Sequence, residues 1–237
     1  MRVVSLAPSA TAVVTALGAS DRLVGTTTHC DAPDTPAVGG WLTPDYDRVV
    51  DLDPDVVLTS DALQAEIRDA LRSRGFDVHH TAPATLDDVL ASFADIGAAV
   101  GRPDAGDALA ANCRRRLAGV RDDTPADGPT VYCEEWADPP MAAGNWVPDA
   151  VDAAGGHYPF VAAGARSHEV DAAAVRAAAP DHVVVHICGA GRQTDADPAT
   201  RWDLDAAVHV VDDSLLNQPS PRLIDGIELL ADQLHAT

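Results

Sequence analysis

The sequence contains no lysine and has few aromatic residues, at 4%. All 16 basic residues are arginine, whereas 37 of the 237 residues are acidic, 32 of them aspartate, and the formal net charge is -21. A surface this negative repels phosphate backbones and anionic lipid headgroups, so we expect neither nucleic acid nor a membrane surface as a partner. Because self-repulsion opposes the compact state unless salt screens it, the acid excess indicates adaptation to high salt rather than a particular ligand.

Long apolar runs are also missing, and no stretch reaches the roughly 18 residues of a membrane-spanning helix, so no membrane insertion is expected. Residues 1–6 lead directly into an expected strand and leave no space for an export signal, which predicts a cytoplasmic location. The alternative is a cell-surface location, if the true start lies upstream. The cysteines are widely spaced without a CxxC pair, as expected of free cytosolic thiols. They are Cys30, Cys113, Cys133 and Cys188.

Common catalytic motifs are absent as well. No GxSxG, GxGxxG, GxxxxGK[ST] or HExxH sequence occurs, which favours a binding protein over an enzyme. Several soft or borderline metal ligands could converge, but none has the local spacing of a known metal motif, so we expect no metal site. An enzyme that acts on a metal centre through this set remains an alternative. The set is His29, Cys30, Cys133, Glu134, Glu135, His186 and Cys188.

What the sequence does contain is an alternation of short apolar runs with amphipathic segments, which predicts parallel βα units and an α/β fold. Strands are expected at 3–6, 23–27, 56–58, 76–79, 131–133, 183–187 and 208–211. Helices are expected at 10–17, capped by Ser9 and ended by Gly18, and at 62–74, 86–100, 104–120, 147–154, 198–207 and 221–235.

The domain organisation follows from a long helical stretch in the middle of the chain. We predict an N-terminal α/β lobe at 1–84, a bridging helical segment at 85–124 and a C-terminal α/β lobe at 125–237. The second lobe echoes the first, most clearly in the similarity of residues 52–57 to residues 179–184. Two Rossmann-like lobes with parallel sheets joined by a long helix are the expected architecture.

Tryptophan is scarce, and three of the four are expected in loops near the carboxyl ends of strands, where open parallel sheets bind ligands. These are Trp41, Trp136 and Trp146. Large aromatic faces with few polar groups suit a cleft for a broad, flat and partly apolar ligand.

An ordered series of short segments resembles the substrate-binding proteins of ABC importers for cobalamin and iron-siderophores. The series comprises residues 2–11, 17–18, 23–25, 30–33, 38–41, 47–50, 53–57 and 155–156. It spans almost the whole chain, and the segment 135–148 looks like the cobalamin-binding branch. The resemblance implies the class III periplasmic-binding-protein fold, two α/β lobes bridged by a long helix, and a monomer.

The resemblance further implies that the chain binds a corrinoid such as cobalamin between its lobes, as a ligand and not as a catalytic cofactor. The ligand-binding residues expected from it are His29, Trp41, Glu135, Trp136, Met141 and Trp146. An ABC permease is a possible partner, for which Asp47 matches one docking acid of the family. Ala173 occupies the place of the second, and Asp171 is the nearby substitute.

An exported receptor for haem or an iron-siderophore is the alternative binding function. The alternative from another class is an enzyme that acts on a corrinoid through the cysteine, histidine and glutamate set given above. Siderophore receptors usually offer cationic side chains to an anionic chelate. Only Arg166, Arg192 and Arg201 are candidates for that role here, which favours a ligand that is not strongly anionic.

Overall fold

The computed structural model describes residues 1–125, 127–189 and 197–236. The chain divides into two compact units, the first formed by residues 1–83 and 90–112 and the second by residues 84–89 and those from 113 onward. Each unit contains a β-sheet with helices, which confirms the predicted α/β fold class. The predicted bridging segment, 85–124, contributes residues to both units.

The first unit is built on a four-stranded sheet in which every pair of neighbours is parallel. Its strands lie in the order β2-β1-β3-β4. They are β1 (Val3–Ser5), β2 (Leu23–Thr26), β3 (Val56–Ser60) and β4 (Val78–Thr81). All residues of β1 and β3 are buried, as expected of central parallel strands covered on both faces.

Five helices accompany or follow these strands. They are α1 (Pro8–Ala16), α2 (Tyr46–Asp51), α3 (Ala65–Ser73), α4 (Leu86–Ala99) and α5 (Pro103–Asp123). Ser9 does not cap α1 as predicted, because the helix already begins at Pro8, whose fixed φ suits the first helical position. Gly18 does end this helix, with a φ of 63° in the left-handed region.

The second unit has a five-stranded sheet in the order β7-β6-β5-β8-β9. Its strands are β5 (Val131–Ala137), β6 (Pro140–Ala142), β7 (His168–Glu169), β8 (His182–Val185) and β9 (Ala207–Val210). Pairing is parallel among β5, β8 and β9 but antiparallel between β5 and β6 and between β6 and β7. The predicted parallel pairing holds for β5, β8 and β9, and the sheet also contains an antiparallel part that was not predicted, because the turn at Asp138-Pro139 folds the chain back into a hairpin.

The helices of the second unit cover this sheet and complete the chain. They are α6 (Val147–Ala153), α7 (Ala172–Ala178), α8 (Pro198–Trp202) and α9 (Arg222–Leu234). Within the described ranges, no helix is both long enough and apolar enough to cross a lipid bilayer.

The sequence echo between the two halves has a structural cause at the amino ends of the sheets. The Asp55 carboxylate accepts from the Arg2 N–H at 2.6 Å, and the Asp55 N–H donates to the Arg2 carbonyl at 2.8 Å. Asp181 makes the same two bonds to Thr130, both at 2.8 Å. In each unit one aspartate thus joins the start of its first strand to the start of the strand beside it, and a proline precedes that aspartate.

Helices α4 and α5 approach each other closely where both carry glycine. A Cβ atom added to Gly106 would lie 2.8 Å from the carbonyl oxygen of Phe93 and 3.0 Å from the Cα of Ala94. Added to Gly97, it would lie 2.7 Å from the Cα of Gly106. These contacts involve backbone atoms, so a larger side chain would force the helices apart.

We predict opposite effects for two glycine substitutions in α5. Gly106→Ala should lower the free energy of unfolding by about 1–3 kcal/mol, because the methyl group overlaps the backbone of α4. Gly119→Ala should raise it by up to about 1 kcal/mol, because Gly119 is exposed with no atom within 4 Å of an added Cβ and alanine favours the helix. Urea unfolding in molar KCl measures both, and equal effects would contradict the proposed close packing.

Candidate ligand-binding site

In the first unit the segment after β2 ends in a tight turn that carries Trp41. The Gly40 N–H donates to the Thr43 carbonyl at 3.1 Å, and the Thr43 N–H donates back to the Gly40 carbonyl at 3.2 Å. Trp41 and Leu42 therefore occupy the tip of the turn, where Trp41 is half-buried and Leu42 is exposed. We call residues 40–43 the Trp41 turn.

His29 lies beside this turn. A Cβ atom added to Gly40 would be 3.8 Å from Cε1 of the His29 ring, and the Thr28 N–H donates to the Gly39 carbonyl at 3.0 Å. The imidazole is exposed. The structure thus places His29 beside the turn that carries Trp41, at the carboxyl ends of the first sheet.

In the second unit Trp136 and Met141 face each other across the β5–β6 hairpin, as register partners on adjacent strands. The Trp136 side chain is 47% exposed, and its indole N–H donates to the Asp138 carbonyl at 2.9 Å. Met141 is half-buried. The hairpin therefore presents a fixed aromatic ring next to an adaptable thioether, a combination suited to an apolar ligand surface.

Glu135 lies on β5 immediately before Trp136 and is half-buried. Burial raises the pKa of its carboxyl group, while a hydrogen bond from Ser167 lowers it in part. The Ser167 hydroxyl also accepts from the Gly144 N–H at 2.9 Å. Glu135 is thereby linked to a loop that is itself fixed to the backbone after β6, so its carboxyl group has a defined position.

Trp146 does not lie in an open loop as predicted. It immediately precedes α6, its side chain is only 6% exposed, and its indole N–H donates to the Leu216 carbonyl at 2.7 Å. The ring fills the core of the second unit, so we leave Trp146 out of the proposed ligand contacts.

The remaining acid of β5, Glu134, is engaged in a buried network. It is fully buried, accepts from the Tyr132 hydroxyl at 3.1 Å and forms an ion pair with Arg201. Burial raises the pKa of Glu134, and Arg201 opposes this shift. Arg201 also lies 4.4 Å above the ring of Trp202, so it is not the free cation that the sequence suggested.

His186, which directly follows β8, is fully buried and held by Asn217. Its Nδ1–H donates to Oδ1 of Asn217, and the Asn217 amide donates to the His186 carbonyl at 2.9 Å. Burial lowers the pKa of His186 to about 4, so the imidazole is neutral at neutral pH. Sequence reasoning did not find Asn217, because 31 residues separate it from its partner.

The potential metal ligands, for which no metal site was expected, include a cysteine inside the second sheet. Cys133 is fully buried within the sheet, and burial raises the pKa of its thiol. No group of three histidine, cysteine or acidic side chains is placed to hold a metal ion in the part of the chain that the structure describes. Of the three candidate cleft arginines, Arg166 is exposed, Arg201 is paired and Arg192 lies outside the described residues.

The two acids expected to dock a transporter both lie at the start of a helix. Asp47 is exposed in the first turn of α2. Asp171 caps α7, where its carboxylate accepts from the Ala174 N–H at 2.7 Å while the residue remains exposed. Both carboxylates are therefore accessible.

Comparison with known proteins gives consistent matches over the whole chain. The family described as "Periplasmic binding protein" matches residues 3–199. A cobalamin-binding protein from Halobacterium salinarum is 29% identical, with 100% of this chain and 70% of that protein aligned.

Solved structures share the fold. The periplasmic vitamin B12 binding protein of Vibrio cholerae superposes with a TM-score of 0.82 at 23% identity, over 98% of this chain and 96% of that one. A periplasmic haem-binding protein from Roseiflexus sp. RS-1 superposes with a TM-score of 0.79 at 23% identity, over 99% and 97% of the two chains.

The predicted cytoplasmic location is wrong. It rested on the first residues of the sequence, whereas the family that matches the chain is one of periplasmic binding proteins. The short apolar start reports the first strand of the fold, Val3–Ser5, and gives no information on location.

We predict that His186 makes stability depend on pH. Because the folded-state pKa of about 4 lies below the ordinary value, the unfolded chain binds the proton more readily. The part of the free energy of unfolding that depends on neutral His186 is fully present above about pH 6.5. It is lost progressively as the pH falls toward 4, by about 3 kcal/mol in total. Urea unfolding between these limits should show a flatter pH profile for His186→Gln than for the unmodified protein.

The control for this experiment is His29→Gln, which removes an exposed imidazole. It should leave the slope of the pH profile unchanged, because the exposed side chain adds little to the packing of the folded protein. Parallel profiles for His186→Gln and the unmodified protein would contradict the proposed role of burial.

Proposed function

The chain belongs to the periplasmic binding protein family, and on this premise we propose that it binds a corrinoid, with cobalamin as the ligand. Membership in a family of binding proteins also confirms the expectation that the protein is not an enzyme. The observation that carries the proposal is that each unit offers a tryptophan with a second side chain nearby. His29 lies beside the Trp41 turn, and Met141 lies opposite Trp136 in the hairpin.

These pairs match the chemistry of a corrin ring. The ring is broad and nearly flat, its faces are largely apolar, and carboxamide side chains surround its rim. Indole rings provide a large contact area at a small cost in conformational entropy, which suits such a face. The cobalamin-binding protein of Halobacterium salinarum, aligned over the whole of this chain, further supports a corrinoid as the ligand.

Charge favours a corrinoid over the alternative ligands. Haem carries anionic propionates and many siderophores are anionic chelates, whereas Arg201, one of the candidate cations for such a ligand, is already paired with Glu134. We propose that Glu135 accepts hydrogen bonds from carboxamide groups of the ligand. A carboxylate in the same place would be repelled by Glu135 if it is ionised.

We further propose that the loaded protein, as a monomer, delivers its ligand to an ABC permease. The accessible carboxylates of Asp47 and Asp171 support this role, since exposed acids at fixed helix starts suit recognition by basic pockets. In this proposal Asp171 substitutes for the second docking acid of the family, whose position Ala173 occupies here.

Titration with cyanocobalamin in molar KCl tests the binding proposal through quenching of tryptophan fluorescence. We expect saturable binding at one ligand per chain. Trp41→Ala and Trp136→Ala should each weaken binding by about 10- to 100-fold, because each removes a stacking surface worth about 1–3 kcal/mol. Corrin absorbance gives an independent measure of the bound fraction where a variant loses fluorescence.

The matched control is Val208→Ala. Val208 is an apolar residue on β9, in the same unit as Trp136, and it is 38% exposed. It should bind with unchanged affinity. Absence of binding at micromolar protein, or tighter binding of haemin than of cyanocobalamin, would refute the corrinoid assignment and leave the fold untouched.

A further inference from the structure

Gln64 is a buried polar residue that connects the Trp41 turn to the sheet of the first unit. Its side chain is 0% exposed, although it lies in the short turn that precedes α3. The side-chain amide donates to the Trp41 carbonyl at 2.7 Å and to the Leu6 carbonyl at 2.9 Å. The side-chain oxygen accepts from the Ser60 N–H at 2.8 Å.

These three bonds engage both N–H groups and the oxygen of the carboxamide. Burying an amide without partners is costly, so this degree of satisfaction fixes the side chain in one orientation. The bonds join the end of β1, the end of β3 and the tip of the Trp41 turn. No charged side chain could replace the Gln64 carboxamide, because the site needs two N–H donors and one acceptor.

The base of the turn is held separately from its tip. Backbone bonds at the base run from the Thr28 N–H to the Gly39 carbonyl at 3.0 Å and from the Asp45 N–H to the Val38 carbonyl at 2.8 Å. The bond from Gln64 reaches the residue whose side chain is proposed to contact the ligand. Loss of Gln64 would therefore release the tip while the base remains attached.

We propose that Gln64 is a positioning residue that holds the Trp41 backbone so that the indole is already oriented for the ligand. The inference rests on the proposed corrinoid binding. A turn that is fixed before binding avoids the entropic cost of ordering it on association, so Gln64 contributes to affinity without touching the ligand.

A double-mutant cycle with cyanocobalamin tests this role. Gln64→Met preserves the approximate volume but removes all three hydrogen bonds. We expect it to weaken binding about tenfold in the otherwise unmodified protein and less than about twofold in the Trp41→Ala background. Equal weakening in both backgrounds would show that Gln64 acts on general stability, which overturns the proposal.

Thr59→Val is the matched control. It removes a hydrogen bond of 2.9 Å between the buried Thr59 hydroxyl and His80 in the same unit, without involving the Trp41 turn. Its affinity for cyanocobalamin should be unchanged. A loss as large as that of Gln64→Met would overturn the specific role of Gln64.

A second measurement needs no ligand and separates this inference from the corrinoid assignment. Protein labelled with 5-fluorotryptophan contains four tryptophans, and Trp41→Phe identifies the resonance of Trp41. Gln64→Met should shift or broaden that fluorine resonance and leave the other three in place. An unchanged Trp41 signal would overturn the positioning role, whereas failure of cyanocobalamin to bind the unmodified protein would refute only the proposed function.

Discussion

Backbone N–H and C=O groups at the ends of parallel strands need partners, and in both units of this protein buried or fixed polar side chains supply them. At the amino ends, Asp55 and Asp181 each bind both backbone groups of the residue before the first strand. At the carboxyl ends, Gln64 serves the first unit and Asn217 serves the second, where it binds His186. The loops that carry the candidate site therefore leave strand ends at which these backbone groups are already paired.

The two tryptophans of the proposed site each lie on a segment that hydrogen bonds hold in place. Trp41 lies on a turn that is fixed at its base by backbone hydrogen bonds and at its tip by Gln64. Trp136 lies on the β5–β6 hairpin, and its indole N–H already donates to the Asp138 carbonyl. The Trp136 ring therefore needs no new polar partner from the ligand. Under the proposed function both indoles would contribute to affinity mainly through apolar contact, which suits a flat ligand with apolar faces better than a small polar one.

The sequence predicted those elements whose signal is local. Apolar runs located the central strands, and the resemblance between 52–57 and 179–184 revealed the repeated start of the second sheet. The β6 strand was missed because Pro139-Pro140 is typical of a turn, and the burial of Trp146 depends on Leu216, far along the chain. Gln64 gave no signal either, since a lone glutamine at the start of an amphipathic helix is usually exposed. Long-range hydrogen bonds decide the cases of Trp146 and Gln64.

The electrostatic effects of the surface acids and those of the buried acids near the candidate site extend over different distances. Most of the negative charge is aspartate, and its repulsion of anions weakens as salt shortens the Debye length. Glu134 and Glu135, by contrast, are buried or half-buried and hydrogen-bonded, so salt screens their local effects far less. In a protein adapted to high salt, discrimination between neutral and anionic ligands must therefore come from the residues in contact with the ligand. The overall charge then acts mainly on solubility, and under the proposed function Glu135 and the pairs Trp41–His29 and Trp136–Met141 set the choice of ligand.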